Sequence, residues 1–230
     1  MLVLRLAPLD ALLSHATDMP DAHWLSEHDQ QRQARFGSAQ RARQFRAGRW
    51  LLRQMLFEVG VLPRRDAPAV QLLIGSEGAP RLAQVPGWEL SISHSGAWVG
   101  CALATRRVGL DIEHERPRSD LAGLAAMVGL GADATAGDLG TAWTLKEAAL
   151  KHDGRALDLG LLPRLRADPA PATQANALSW RAAGTGLHIA LVSEAMPQLC
   201  FEPPPDLDCE AARHWKVSLP SALGDSRQAG

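Results

Sequence analysis

The chain has 230 residues, 24 of them Lys or Arg and 25 Asp or Glu, for a net charge of −1. That length accommodates one large domain or two small ones with a good core, and the near-neutral balance excludes a strong overall field for holding nucleic acid or a membrane surface. Three cysteines, Cys101, Cys200 and Cys209, are odd in number and unevenly spaced, which argues against a disulfide framework and for a reducing compartment.

Met1 to Leu13 is apolar, but Arg5, Pro8 and Asp10 interrupt it. It is too short and too broken for a signal peptide or a membrane span, so Leu2 to Leu6 reads as a first strand and a cytoplasmic protein is expected. Residues 21 to 60 read as helical. Gly37-Ser38 breaks the run, and Ser38 caps a second helix that reaches about Val59. That helix sets Arg41, Arg43, Arg46, Arg49 and Arg53 against Phe45, Leu52, Met55, Leu56 and Val59. Arg46, Arg49 and Arg53 step by three and four, which makes one stripe. Such a stripe is either a solvated face or a fork of guanidinium donors for phosphate.

Leu62-Pro63 ends the helical region. Val70 to Ile74 is a short strand, and Gly75 to Arg81 is a turn-rich loop. Trp88 to Ser95 alternates, with Leu90 and Ile92 opposite Ser91 and Ser93. Trp98 to Ala104 returns, and Val108 to Glu113 completes an expected three-stranded meander, with His94 near its first turn. In Val108 to Glu113 the apolar residues Val108, Leu110 and Ile112 face the core, and Asp111 and Glu113 share the other face.

Leu121 to Leu130 is a short helix, and Gly129 to Gly140 is small and flexible. Thr141 to Asp153 is a helix, with Gly154 where a C-terminal glycine belongs. Glu147 and Lys151 lie one turn apart on it. If strand and helix face each other, three carboxylates and an ammonium converge. Such carboxylates repel unless a cation sits among them, and hard oxygen ligands suit Mg²⁺. The same residues also suit a solvated, salt-bridged surface.

Further on, Leu157 to Leu162 contributes to the core, and Ala167 to Ala172 is a Pro/Ala-rich loop. Leu178 to Ala182 and Leu187 to Val192 form a hairpin around Gly184-Thr185-Gly186. Leu199 to Phe201 is the last strand, and the tail from about Ser221 is disordered. Trp24, Trp50, Trp98, Trp143 and Trp180 belong to the core.

Four motifs carry a resemblance: Ala47-Gly48-Arg49, Ile92-Ser93-His94-Ser95-Gly96, Val108-Gly109-Leu110-Asp111-Ile112-Glu113 and Trp143-Thr144-Leu145-Lys146-Glu147-Ala148-Ala149-Leu150-Lys151. In this order they resemble the Sfp-type 4′-phosphopantetheinyl transferases, over roughly residues 45 to 155. The resemblance implies an α+β fold of two similar halves, each a small antiparallel sheet packed on a long helix. The halves are residues 1–106 and 107–220, with 221–230 as a tail. It implies coenzyme A as donor, a serine of an apo acyl or peptidyl carrier protein as acceptor, release of 3′,5′-adenosine bisphosphate, and a monomer.

By the same resemblance, Asp111, Glu113 and Glu147 hold Mg²⁺. Glu147 takes the serine proton, directly or through a water, and Lys151 stabilises the leaving phosphate. Arg49, Arg53, Gly78, Pro80, Arg81, Ser93, His94 and Lys151 bind the cofactor. The sequence departs from the family pattern in two places. Ala79 stands where a phosphate-binding lysine is expected, with Arg81 two residues on. The interval from Asp111 to Glu147 is also short and lacks an aromatic-acidic run, which bears on partner choice.

Two other classes fit the same residues. A metal-dependent phosphoester hydrolase would break coenzyme A without a carrier. A non-catalytic descendant would bind coenzyme A or a carrier and transfer nothing. Nucleic-acid binding lacks both a basic balance and aromatic interleaving.

Overall fold

The computed structural model describes residues 1–17, 20–63, 70–74, 80–83, 85–155 and 158–219. In chain order they form β1 (Leu2–Pro8), α1 (Leu9–Thr17), α2 (Glu27–Gln33), α3 (Ala39–Glu58), β2 (Leu72–Ile74) and β3 (Pro80–Leu82). Next come β4 (Glu89–Ser95), β5 (Trp98–Ala104), β6 (Val108–His114), α4 (Leu121–Met127) and α5 (Ala136–His152). The chain closes with β7 (Arg166–Pro169), β8 (Ala177–Ala182), β9 (Leu187–Ser193), β10 (Leu199–Phe201) and β11 (Arg213–Ser218).

Local chemistry sets the helix ends. Ser38 Oγ accepts the Arg41 N–H at the start of α3, as its position after Gly37 predicts. Thr135 and Asp138 form a reciprocal capping box at the start of α5. Beyond the end of α5, Gly154 takes φ +76°, a conformation that costs glycine least.

Two sheets carry the molecule. One runs β10-β1-β5-β4 and the other β6-β9-β8-β11-β7, with β2 and β3 as a separate two-stranded ribbon. Leu2, Leu4, Leu6 and Trp98 of the first sheet share a buried cluster with Leu110, Ile112, Trp180, Ile189 and Leu191 of the second. The apolar faces of both sheets therefore close on each other. The far face of the first sheet packs on α1 and α3 through Val3, Val99, Cys101 and Leu103 against Leu12, Leu52 and Met55. The far face of the second packs on α5 through Ala177, Ala190 and Val192 against Leu145 and Ala149. Each sheet thus has one face on the shared core and the other on helices, an α+β arrangement as expected.

Several expectations are corrected. Val108 to Glu113 does not complete a meander with the two preceding strands. β6 leaves them and pairs with β9, starting the second sheet. β10 is not the last strand, and it joins the first sheet parallel to β1, so that sheet is not purely antiparallel. β7 and β11 replace an expected loop and an unassigned stretch and pair with each other. Among the expected core tryptophans, Trp24, Trp98 and Trp180 are buried, while Trp50 and Trp143 are partly exposed. Leu162 is buried as expected, but Leu159 is 53% exposed. Leu157 and the tail from Ser221 lie outside the described residues.

The helix α5 begins earlier than expected, at Ala136, and runs through Gly137 and Gly140. Gly140, from the stretch expected to be flexible, and Gly109 of β6 are used for close packing. A Cβ at Gly140 would strike the His188 ring on β9, and one at Gly109 would run into the Ala148 carbonyl of α5. The helix can therefore lie close against the strand that carries Asp111.

Candidate functional site at the seam between the sheets

The edges of the two sheets meet where β4 runs beside β6. Successive N–H groups of β6 that do not face β9 would be left open at this edge. Three alternate serines of β4 receive them. Ser91 Oγ accepts Leu110 N–H at 2.9 Å, Ser93 Oγ accepts Ile112 N–H at 3.2 Å, and Ser95 Oγ accepts His114 N–H at 3.1 Å. A side-chain ladder thus takes the place of a backbone ladder, and it brings the Ser-His-Ser motif against the Asp-Ile-Glu motif.

Asp111, 4% exposed, lies at this seam. Its Oδ1 accepts from Ser93 Oγ at 2.8 Å and from Lys151 Nζ at 2.7 Å. Strand and helix do face each other here, which is the condition for Lys151 to meet Asp111. Glu113 accepts from Ser95 Oγ at 2.9 Å and pairs with Arg116 at 3.4 Å and Arg118 at 3.8 Å. Glu147 accepts from Trp143 Nε1 at 2.6 Å. Its carboxyl is pushed up to about 7, first by burial and then by the negative charge of Asp111; Lys151 and the Trp143 bond oppose the rise, and Glu113 adds a little to it.

The three carboxylates therefore share one electrostatic field. Among the described residues, however, no three His, Cys, Asp or Glu side chains stand close enough together to hold an ion as they are. The donor chemistry nevertheless fits a hard divalent cation. The oxygens are all carboxylate, and the negative charge of Asp111 and Glu113 adds to burial in lifting Glu147.

The residues expected to hold a cofactor are placed unevenly. His94 is exposed on β4. Its pKa is held below the ordinary histidine value, mainly by protein crowding its base and next by the Lys151 ammonium. The turn after it is clamped from α3, where Gln40 and Gln44 side-chain amides donate to the Gly96 carbonyl at 3.3 and 3.2 Å. Pro80 and Arg81 lie on β3, with Arg81 exposed. Gly78 and Ala79 lie outside the described residues.

Arg49 and Arg53 do not form an exposed stripe with Arg46. Both are buried, and both turn onto the fully buried Asp29, at 2.8 and 2.9 Å. Arg46 pairs separately with Asp21 at 2.7 Å. Burial alone would raise the Asp29 pKa, but the two guanidinium groups together hold it below the usual carboxylate value. Helical spacing gave the face correctly. The partner, Asp29 on α2, is distant in sequence and carried no local signal.

Two further polar residues escaped the sequence reading. Lys146 is buried and donates to the carbonyls of Val128 and Leu162, each at 2.7 Å. His188, 1% exposed, joins Glu115 at 2.9 Å to Thr141 at 3.2 Å. These contacts brace a cleft of about 70 Å³ beside Glu113, lined by His114, Arg116, Leu124, Leu139 and Trp143.

Fold and site together define an α+β protein with a carboxylate-rich centre where two sheets meet. No family model matches the chain. It is similar to the 4′-phosphopantetheinyl transferase psf-1 of Bacillus pumilus, at 30% identity over 52% of this chain and 54% of that protein. It is similar to the 4′-phosphopantetheinyl transferase Sfp of Bacillus subtilis, at 24% identity over 66% of this chain and 70% of that one. A third relative is the 4′-phosphopantetheinyl transferase HetI of a Nostoc species, 37% identical over 51% of this chain and 49% of that protein. The match thus spans about half the length of psf-1 and HetI. The chain is thus similar to 4′-phosphopantetheinyl transferases, as its motifs indicated.

Proposed function

We propose that this chain transfers 4′-phosphopantetheine from coenzyme A to a serine of an apo acyl or peptidyl carrier protein. The observation that carries the reading is the seam itself. There, Lys151 sits on Asp111 and Glu147 is poised near neutrality, in the two motifs that resemble the family. The printed names of the relatives add support.

The acceptor serine oxygen forms a bond to the β-phosphorus of the pyrophosphate, and the bond from that phosphorus to 3′,5′-adenosine bisphosphate breaks. A carboxyl with a pKa of about 7 is suited to take the serine proton. The Lys151 ammonium stabilises negative charge on the departing phosphate. His94, neutral before the substrate arrives, gains a proton as the nucleotide phosphates approach. Arg81 and the loop carrying Gly78 and Pro80 complete the nucleotide side on motif alone. Arg49 and Arg53 buttress α3 through Asp29.

Asp111, Glu113 and Glu147 would hold Mg²⁺, which when bound supplies neutralisation of phosphoryl charge. The reading includes two similar halves, residues 1–106 and 107–220, each with its long helix, and a cytoplasmic monomer. Among the described residues no helix is long and apolar enough to cross a membrane.

The test is to mix the protein with Mg²⁺, a fluorescent coenzyme A conjugate and a panel of apo carrier proteins, then to weigh the carriers. A gain of one phosphopantetheine arm on a serine, abolished by chelator, is expected. Coenzyme A breakdown without labelled carrier would replace this reading with the hydrolase. Binding without either product would replace it with a non-catalytic descendant.

A further inference from the structure

We propose that Ser93 and Ser95 are positioning residues, which fix the carboxylates of β6. The inference rests on the transferase reading and assigns part of the site to the opposite sheet. A serine hydroxyl has one hydrogen and two lone pairs. Ser93 uses all three: it accepts from Ile112 N–H at 3.2 Å and from Lys151 Nζ at 3.1 Å, and it donates to Asp111 Oδ1 at 2.8 Å. Ser95 does the same. It accepts from His114 N–H at 3.1 Å and Arg116 Nη2 at 3.5 Å, and it donates to Glu113 Oε2 at 2.9 Å. Both are buried, at 6% and 2% exposure. Both hydroxyls are thus fully engaged by groups of β6, α5 and Arg116.

Ser91 is a built-in comparison. It accepts the Leu110 N–H in the same ladder, but its hydrogen goes to the Leu110 carbonyl at 3.4 Å. All three serines tie the sheets together, and only two of them also hold a carboxylate. A hydroxyl that anchors one oxygen of a ligand carboxylate limits its rotation, so the group meets a cation already oriented. His94 lies between the two positioning serines on β4 and, by strand alternation, projects to the other side. One strand would therefore serve the nucleotide with one face and the acidic cluster with the other.

The test uses Mn²⁺, an oxygen-seeking ion visible by electron paramagnetic resonance, titrated into the protein with coenzyme A present. The variants are Ser91→Ala, Ser93→Ala, Ser95→Ala and Ser93→Thr, with thermal unfolding recorded on the same samples. Ser93→Ala and Ser95→Ala are expected to weaken Mn²⁺ about tenfold, while Ser91→Ala stays within about twofold of the wild type despite a similar loss of thermal stability. Ser93→Thr, which restores the hydroxyl, is expected to recover the affinity. Should Ser93→Ala not fold, Ser95→Ala carries the comparison. Wild-type affinity in both positioning variants, or an equal loss in Ser91→Ala, overturns the inference and leaves the transferase reading standing. A wild type that binds no Mn²⁺ overturns the metal assignment and this inference together.

Discussion

Lys151 Nζ lies 2.7 Å from Asp111 Oδ1, joining the last turn of α5 to the middle of β6. The pair is largely shielded, with side-chain exposures of 31% and 6%. Lys151→Met leaves Asp111 with Ser93 as its recorded hydrogen-bond donor. The expected cost is about 1–2 kcal/mol of stability, less than for a fully buried pair because the lysine is partly wet. If the ammonium also meets the leaving phosphate, carrier labelling falls about 100-fold or more. Lys151→Arg is expected to regain stability without regaining rate, since a planar fork does not replace a compact ammonium. Urea unfolding and a labelling time course on the same preparations separate the two effects.

Glu147 couples stability to pH and to metal. Its folded pKa, raised to about 7, lies above the ordinary 4.5, so folding favours the protonated form. The stability this provides is fully present below the unfolded value and is lost as pH rises through about 7. Without divalent cations the melting temperature is expected to fall between pH 5 and pH 8, by an amount corresponding to about 1–3 kcal/mol. Mg²⁺ is expected to restore it, most strongly at the upper end. Glu147→Gln removes most of this slope while labelling collapses. Melting curves with chelator and with Mg²⁺ across that range decide the matter. A metal effect independent of pH would sink the assignment of Glu147.

Asp29 runs in the opposite direction. Its pKa is held below the usual 3.8 by Arg49 and Arg53. Its contribution is therefore present above the unfolded carboxyl value and is lost as pH falls through the lower folded one. Asp29→Asn leaves two buried guanidinium groups short of their counter-charge, and a loss of about 3–5 kcal/mol is expected near neutrality. The difference from wild type should shrink below about pH 4, where the unfolded carboxyl takes up a proton before the native one does. Urea midpoints at pH 7 and pH 3 test both parts. If Arg49 and Arg53 act chiefly as buttress, Arg53→Lys lowers the urea midpoint more than it raises the KM for coenzyme A.

The elements at the centre of the chain were legible because their signals are local. Period-two alternation marked β4 and β6, the return after His94 marked β5, and Ser38, Gly154 and the apolar spacing marked the long helices. How these elements meet was less legible. The alternation of Ser91 and Ser93 with Leu90 and Ile92 marked a strand face, but gave no sign that these hydroxyls, with that of Ser95, substitute for a missing backbone ladder. That role depends on β6 leaving its sequence neighbours for β9, a choice made by distant residues. β11 was missed because Arg213-His-Trp-Lys-Val-Ser alternates weakly, and β7 because Pro and Ala suggest a loop. The arginines of α3 were legible as a face but not as the partners of Asp29.

Lys146 is adjacent to Glu147 in sequence but does a different job. Its buried ammonium bridges the Val128 carbonyl at the end of α4 and the Leu162 carbonyl beyond α5, both at 2.7 Å, and burial holds its pKa below the ordinary lysine value. A cation near helix-terminal carbonyls is favourable, and here it ties the segment after β6 to α5. Lys146→Met keeps much of the apolar stem but strands two carbonyls, at an expected cost of about 2–4 kcal/mol. The loss should be local before it is global. Amide exchange across Leu121–Met127 should accelerate more than exchange in β9. Labelling should fall by less than in Lys151→Met, because the Lys146 ammonium is occupied by protein carbonyls. Exchange that accelerates equally in both elements would show that Lys146 supports the whole fold and not the α4 wall of the cleft.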